Sequence, residues 1–129
     1  MKLDINVAER NFLRDLLNWN VVLQTIKREL PLLNNLLYSF DYTYAEPETI
    51  REMEKFENGI PKKEKIAIRL KGEVFKFEQE LSKILESETA SCDSVFYEKY
   101  DELKTRVEQF ETSFKKFKKD LIFFTDSIL

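Results

Sequence analysis

The sequence predicts an all-α protein: an antiparallel up-down-up three-helix bundle with coiled-coil-like heptad packing and a short extra capping helix. Two observations lead to this fold class. Apolar residues recur alternately three and four positions apart, which places them on one stripe of a helix. The 129 residues include only two Gly and three Pro, whereas β-rich and loop-rich folds need many of both for their turns. We expect one domain, residues 1–129.

The first long helix is predicted over residues 8–38, and its apolar stripe contains no polar residue. The stripe consists of Phe12, Leu16, Trp19, Leu23, Ile26, Leu30, Leu33, Leu37 and Phe40. Pro31 lies within this pattern, and a proline removes one backbone donor and clashes with the carbonyl group four residues earlier. We therefore expect either a kink near Lys27–Pro31 or the end of the helix there.

The middle of the chain is predicted to hold two helices. The segment Asn58-Gly59-Ile60-Pro61 combines a helix-stop signal with a proline at the first position of a following helix. It predicts a short capping helix over 47–57, a tight turn, and a second long helix over 61–86. The apolar stripe of that long helix consists of Leu70, Val74, Phe77, Leu81 and Ile84.

The third long helix is predicted over residues 94–128, where neither Gly nor Pro interrupts the pattern. Asp93 or Ser94 is its expected N-cap, because a short side-chain oxygen can accept a hydrogen bond from a free amide of the first turn. Its stripe consists of Phe96, Tyr100, Leu103, Val107, Phe110, Phe114, Phe117, Leu121, Phe124 and Ile128. The breaks at 41–47, 58–61 and 87–93 favour a folded-back bundle over one extended coiled coil.

The first helix carries more apolar residues than one stripe needs, and these predict an interface. A helix that is apolar over much of its circumference must be covered on more than one side. The other helices can supply that cover, or a second copy can do so in a homodimer. Tyrosines in the link after this helix close the bundle, form part of a partner-binding patch, or belong to a short extended segment that pairs with another chain. The candidate interface residues are Leu13, Leu17, Val22, Leu32, Leu36, Tyr42 and Tyr44.

Charges are sorted along the chain. Residues 61–76 carry a net charge of +4, residues 104–119 also carry +4, and residues 78–102 carry −6. If the chain folds back at about residue 90, both basic runs meet at one end of the bundle. That end is a candidate anion-binding or nucleic-acid-binding site, although the acidic pI of about 5.2 disfavours dedicated nucleic-acid binding. Its residues are Lys62, Lys63, Lys65, Lys115, Lys116, Lys118 and Lys119.

The alternatives for these charges are a solvated surface with helical ion pairs, and head-to-tail self-association of opposite ends.

Residue types that catalytic and metal sites need are scarce. His is absent and Cys92 is the only cysteine, which excludes Ser–His and Cys–His nucleophiles and cysteine-cluster zinc sites within the chain. We expect no enzyme, no cofactor and no metal. The sequence predicts a non-catalytic interaction or scaffold protein that acts through protein–protein contacts. Alternatives are anion binding at the basic end, or a small apolar ligand held between helices by Phe77, Phe110, Phe114 and Phe117.

The expected location is the cytoplasm. Asp4 and Glu9 interrupt the first apolar residues, so we expect no export signal. No run approaches the ~20 apolar residues that cross a bilayer. A single cysteine suits a reducing compartment.

Overall fold

A computed structural model describes residues 6–128 as three helices: α1 (Val7–Leu37), α2 (Pro47–Glu86) and α3 (Ser94–Ser127). No strand occurs within residues 6–128, and the all-α prediction is confirmed. Asp4, on which part of the export-signal argument rests, lies outside the described residues.

α1 begins at a capping box that sequence reasoning missed. The Asn6 side chain accepts a hydrogen bond from the Glu9 amide at 2.8 Å, and the Glu9 carboxylate accepts one from the Asn6 amide at 3.3 Å. These two bonds satisfy amide groups that a helix start otherwise leaves unpaired. The helix then continues through Pro31 to Leu37, so Pro31 does not end it. Eight of the nine predicted stripe residues are buried, and only Phe40, beyond the helix end, is half-buried.

α2 is one uninterrupted helix of 40 residues. The predicted turn at 58–61, and with it the separate capping helix over 47–57, is wrong. Neither glycine of the described chain has a positive φ, so Gly59 does not end a helix. Its missing side chain serves packing instead, because a Cβ at Gly59 would lie 2.6 Å from Cε2 of Phe117. Pro61 lies inside α2 and is exposed.

α3 has the N-cap that the sequence predicts. The Asp93 side chain accepts a hydrogen bond from the Phe96 amide at 2.8 Å. Seven of its ten predicted stripe residues are buried, and the half-buried members are Tyr100, Phe117 and Ile128.

Each helix packs against both of the others. Near one end of the molecule, the Phe12 ring contacts Phe77 of α2 at 6.2 Å and Phe96 of α3 at 5.4 Å between centroids. Near the other end, the Tyr38 hydroxyl, just after α1, donates a hydrogen bond to Glu57 of α2.

α2 and α3 extend beyond the end of α1. Because the hydroxyl of Tyr38, just after α1, bonds to Glu57, most of the first ten residues of α2, 47–56, extend past the end of α1. The Phe56 ring instead contacts Phe117 at 5.8 Å and Phe124 at 5.4 Å between centroids, both in α3. No helix of the described residues is long and apolar enough to span a membrane.

Candidate functional site

The exposed surface of α1 has an unusual composition. We call its twelve exposed residues the outer face of α1. They include five apolar side chains, four neutral polar ones, three arginines and no carboxylate. The twelve are Val7, Arg10, Arg14, Leu17, Asn18, Val21, Gln24, Thr25, Arg28, Pro31, Leu32 and Asn35.

The other two helices expose ordinary solvated surfaces. Among the exposed residues of α2, twelve of 21 are charged, and among those of α3, eleven of 21 are charged. On α1 only three of twelve are charged. The outer face of α1 therefore has the lowest fraction of charged residues among the exposed surfaces of the three helices.

Two apolar residues of α2 extend this surface. The Asn20 side chain donates a hydrogen bond to the Glu78 carboxylate, and the Lys71 ammonium donates one to Gln24 Oε1 at 2.9 Å. These bonds join α1 to α2 at two heights. Phe75 lies four residues after Lys71 and three before Glu78, so it is on the same side of α2 as both. Ile68, three residues before Lys71, is on that side too.

The same bonds fix the α1 side of the surface. Leu17 precedes Asn20 by three residues and Val21 precedes Gln24 by three, which puts both beside the junction with α2. Leu17 is 68% exposed, Val21 65% and Phe75 58%. Leu17 and Val21 of α1 and Phe75 of α2 thus form an apolar surface over the junction that these two hydrogen bonds join.

The structure divides the seven predicted interface residues into two groups. Leu17, Leu32 and Tyr44 are exposed, with Tyr44 at 95%. The other four, Leu13, Val22, Leu36 and Tyr42, are half-buried and pack against the core. Sequence reasoning did not single out Ile68 and Phe75, which are exposed apolar residues of α2. The available signal was that these two apolar residues are seven positions apart and lie outside the apolar stripe of α2.

Tyr42 helps to close the bundle rather than present a free ring. Its hydroxyl donates a hydrogen bond to the Leu37 carbonyl at 2.6 Å, at the end of α1. Burial raises the pKa of Tyr42. In the same link, the Asp41 carboxylate accepts bonds from the side chain and the amide of Thr43, which lower its pKa. The link is thus tied to itself and to α1.

The two basic runs do meet, but in the middle of the molecule. The Lys63 ammonium donates a hydrogen bond to the Ser113 hydroxyl and lies 5.7 Å from the centroid of the Phe117 ring. Burial lowers the pKa of Lys63. The runs are not at an end because α2 continues without a break to Pro47, about 15 residues beyond Lys62.

Several of the predicted anion-binding lysines already have carboxylate partners. Lys118 pairs with Glu29 at 3.0 Å, Lys116 with Asp120 at 2.9 Å, and Lys115 with Glu111 at 3.8 Å. Within residues 6–128, Lys62, Lys65 and Lys119 have no ion pair. The arrangement resembles a solvated, ion-paired surface more than a cationic site.

The continuous α2 also changes how charge is distributed along the bundle. We divide the described residues into a tip (38–57 and 120–128), a belt (17–37, 58–77 and 103–119) and a base (6–16 and 78–102). The tip has eight acidic and two basic side chains, a net −6. The belt has fourteen basic and five acidic, a net +9, and the base has ten acidic and four basic, a net −6. Contact of tip with base would bring two acidic ends together, which disfavours head-to-tail association.

The aromatic rings proposed to hold an apolar ligand do not share one cavity. Phe117 lines a surface groove of about 590 Å³ with Phe56, Phe123 and Phe124. Phe77 lines a different hollow of about 210 Å³, among six charged side chains. Phe110 and Phe114 line neither hollow and are buried in the core.

The described residues contain no group of three or more His, Cys, Asp or Glu that could hold a metal ion. Cys92 is half-buried and packs against the core. Comparison of the chain with protein families, with curated proteins and with solved structures finds no match.

Proposed function

We propose that this protein is a non-catalytic helical-bundle scaffold that binds another protein through the outer face of α1 together with Ile68 and Phe75. The composition of that face carries the proposal. The centres of protein–protein interfaces are depleted in Lys, Glu and Asp and enriched in Arg. The outer face of α1 has arginine as its only charged residue type.

The proposal includes an antiparallel up-down-up bundle with heptad packing. The order of contacts supports this topology. Asn20 pairs with Glu78 whereas Tyr38 pairs with Glu57, so contacts on α2 move toward its start as α1 advances. Glu73 of α2 pairs with Arg106, whereas Lys63 bonds to Ser113 further along α3. In such a bundle α1 and α2 are neighbours that run in opposite directions, and a partner can lie in the furrow between them. A cytoplasmic location is proposed from the single cysteine.

The experiment compares two double variants of the full chain with the same change in charge. Leu17→Glu/Phe75→Glu alters the proposed interface. Val95→Glu/Phe123→Glu alters two exposed apolar residues of α3, at 55% and 75% exposure. Each protein is tagged and recovered from its native cells, and its bound proteins are quantified by mass spectrometry. We expect the first variant to lose partners that the wild type and the second variant retain.

Equal retention by both variants, or equal loss, would contradict the interface. Urea unfolding of both variants establishes that each is folded, because surface substitutions normally change stability by about 0.5 kcal/mol or less.

A second candidate function is binding of a small apolar ligand in the groove of Phe56, Phe117, Phe123 and Phe124. Its volume of about 590 Å³ falls within the ~300–1,000 Å³ of typical ligand sites. Thermal melting with decanoate tests this candidate. A ligand-dependent rise in Tm that Phe123→Ser abolishes would support it, and an unchanged Tm at saturating decanoate would not.

A further inference from the structure

The partner's charge can be inferred from the carboxylates of α1. This helix has three, and none is on its outer face. Glu9 is 2% exposed, Asp15 accepts a hydrogen bond from Tyr100 of α3, and Glu29 pairs with Lys118 of α3. All three are thus buried or directed toward α3, while the arginines remain on the opposite, outer side.

Two of those arginines lack any ion pair within the described residues. They are Arg10 and Arg28. Arg14 approaches only its neighbour Asp15, at 3.8 Å, and its side chain is 67% exposed. Arg14 and Arg28 are fourteen residues apart, about 21 Å along a helix, and Leu17 and Val21 lie between them. The surface therefore presents an apolar centre with an exposed arginine on either side.

The backbone of this surface restricts the shape of the occupant. α1 and α2 are helices, so their amide and carbonyl groups are bonded internally and offer no edge to an added strand. A furrow between two packed helices accepts a third helix, whose apolar stripe meets the apolar centre.

We infer that the occupant is an amphipathic helix of another protein, with Asp or Glu on both sides of its apolar stripe. The inference rests on the proposed function and adds the partner's chemistry. Charge complementarity carries it, because carboxylates at the rim would pair with Arg10 and Arg28, which have no ion pair within residues 6–128, and with the exposed Arg14.

A second copy of the chain fits this surface poorly. In a two-fold dimer the same surface meets itself. An axis through Val21 would place Arg14 of one copy opposite Arg28 of the other, since each is seven residues from Val21. Two such arginine pairs would form at the rim, with no carboxylate on either outer face to separate them.

The experiment selects helices against the full-length protein from a displayed library. Every member has a fixed stripe of Leu and Ile, and its flanking positions vary among Glu, Lys and Gln. We expect the enriched members to be acidic and to bind more weakly as salt increases. We expect at least a tenfold loss of their affinity in Arg14→Glu/Arg28→Glu. The matched control, Lys115→Glu/Lys119→Glu, has the same change in charge on α3 and should keep wild-type affinity.

Each contrary outcome has a distinct meaning. Enrichment of basic or neutral helices that Leu17→Glu/Phe75→Glu abolishes would overturn the acidic partner and leave the interface standing. Enrichment of no helix, or binding that survives Leu17→Glu/Phe75→Glu, would overturn the proposed function itself. A parallel arm uses vesicles that contain phosphatidylserine. Vesicle binding that Arg14→Glu/Arg28→Glu abolishes would replace the acidic helix with a membrane surface as the occupant.

Discussion

A Cβ on Gly59 of α2 would lie 2.6 Å from Cε2 and 3.2 Å from Cζ of Phe117 in α3. The absence of a side chain at Gly59 therefore allows the ring to lie against α2. Phe56 contacts that ring at 5.8 Å between centroids and the Lys63 ammonium lies 5.7 Å from its centre, so several groups surround it.

Gly59→Ala should destabilise the protein. Alanine improves helix propensity by about 1 kcal/mol, but overpacking against Phe117 costs about 1–3 kcal/mol. We expect a net loss in the free energy of unfolding, measured by urea denaturation. Gly72→Ala is the matched control in the same helix, because a Cβ there meets nothing within 4 Å. It should stabilise by about 0.5–1 kcal/mol, and equal stabilisation at both sites would contradict the packing role of Gly59.

Pro61→Ala tests whether α2 is continuous. Inside a helix, proline is about 3 kcal/mol less favourable than alanine, so the substitution should increase the free energy of unfolding by about 1–3 kcal/mol. At the start of a separate helix, proline is favourable and the substitution would gain nothing. Pro47→Ala, at the start of α2, is the control and should leave stability nearly unchanged. If Pro61→Ala also leaves stability nearly unchanged, α2 is broken at Pro61.

Leu16 and Leu17 are adjacent in sequence and opposite in environment, at 3% and 68% exposure. Leu16→Ala should cost about 2–5 kcal/mol, because it removes buried methyl groups and leaves a cavity. Leu17→Ala should change stability by about 0.5 kcal/mol or less. Urea denaturation of the two variants measures both effects. A large loss on Leu17→Ala would mean that Leu17 belongs to the core and is not available to a partner.

Stability should fall in alkaline solution through Tyr100. Burial, followed by the hydrogen bond to Asp15, raises its pKa well above the ordinary 10.0. Its contribution to stability is therefore complete below pH 10 and is lost as pH rises from there toward the folded-state pKa. At pH 7, Tyr100→Phe should cost about 1 kcal/mol through the lost bond. Above pH 10 the stability of the wild type should fall relative to that of the variant by about 1.4 kcal/mol per pH unit, so the difference reverses its sign within about one unit. A constant difference would contradict this role.

Self-association is tested by light scattering on a sizing column. The opposed arginines of a two-fold contact through α1 predict a monomer at about 50 mM salt, where their repulsion is least screened, and the measurement is repeated at about 500 mM. A dimer that forms only at high salt would indicate that the outer face does pair with itself once its arginines are screened. A dimer at both salt concentrations would contradict the argument from charge.

Periodicity predicted the helices well because burial follows the stripe in each of them. Leu23, Leu70 and Leu121, all stripe residues, are fully or almost fully buried. It failed at Gly59 and Pro61, where two residues that usually mark a turn lie inside α2. The signal for a turn is local, whereas the reason for Gly59 is a ring in a helix nearly sixty residues later in the chain. A pattern of neighbouring residues cannot predict a contact between residues so far apart in the sequence.

The candidate site was predicted in part for a related reason. The sequence shows that α1 has surplus apolar residues, but it does not show how wide a stripe its neighbours cover. Val22 and Leu36 lie close enough to the buried stripe to pack against the core, whereas Leu17 and Leu32 do not. Phe75 becomes part of the surface only because Asn20–Glu78 and Gln24–Lys71 set the height of α2 beside α1. That register depends on tertiary contacts.

The extension of α2 past the end of α1 gives the protein an end that can open separately. The residue before this segment is Glu46, the N-cap of α2, and its side chain makes no capping hydrogen bond. Within the segment, Phe56 packs against Phe117 and Phe124 of α3. None of residues 47–56 is fully buried, so we expect fraying of this segment to cost less free energy than global unfolding. Amide hydrogens of residues 50–57 should therefore exchange with solvent faster than those of 67–81, and each opening exposes the rings of Phe56 and Phe124 together. We therefore expect the middle of the bundle to open only with global unfolding, whereas this end also opens locally.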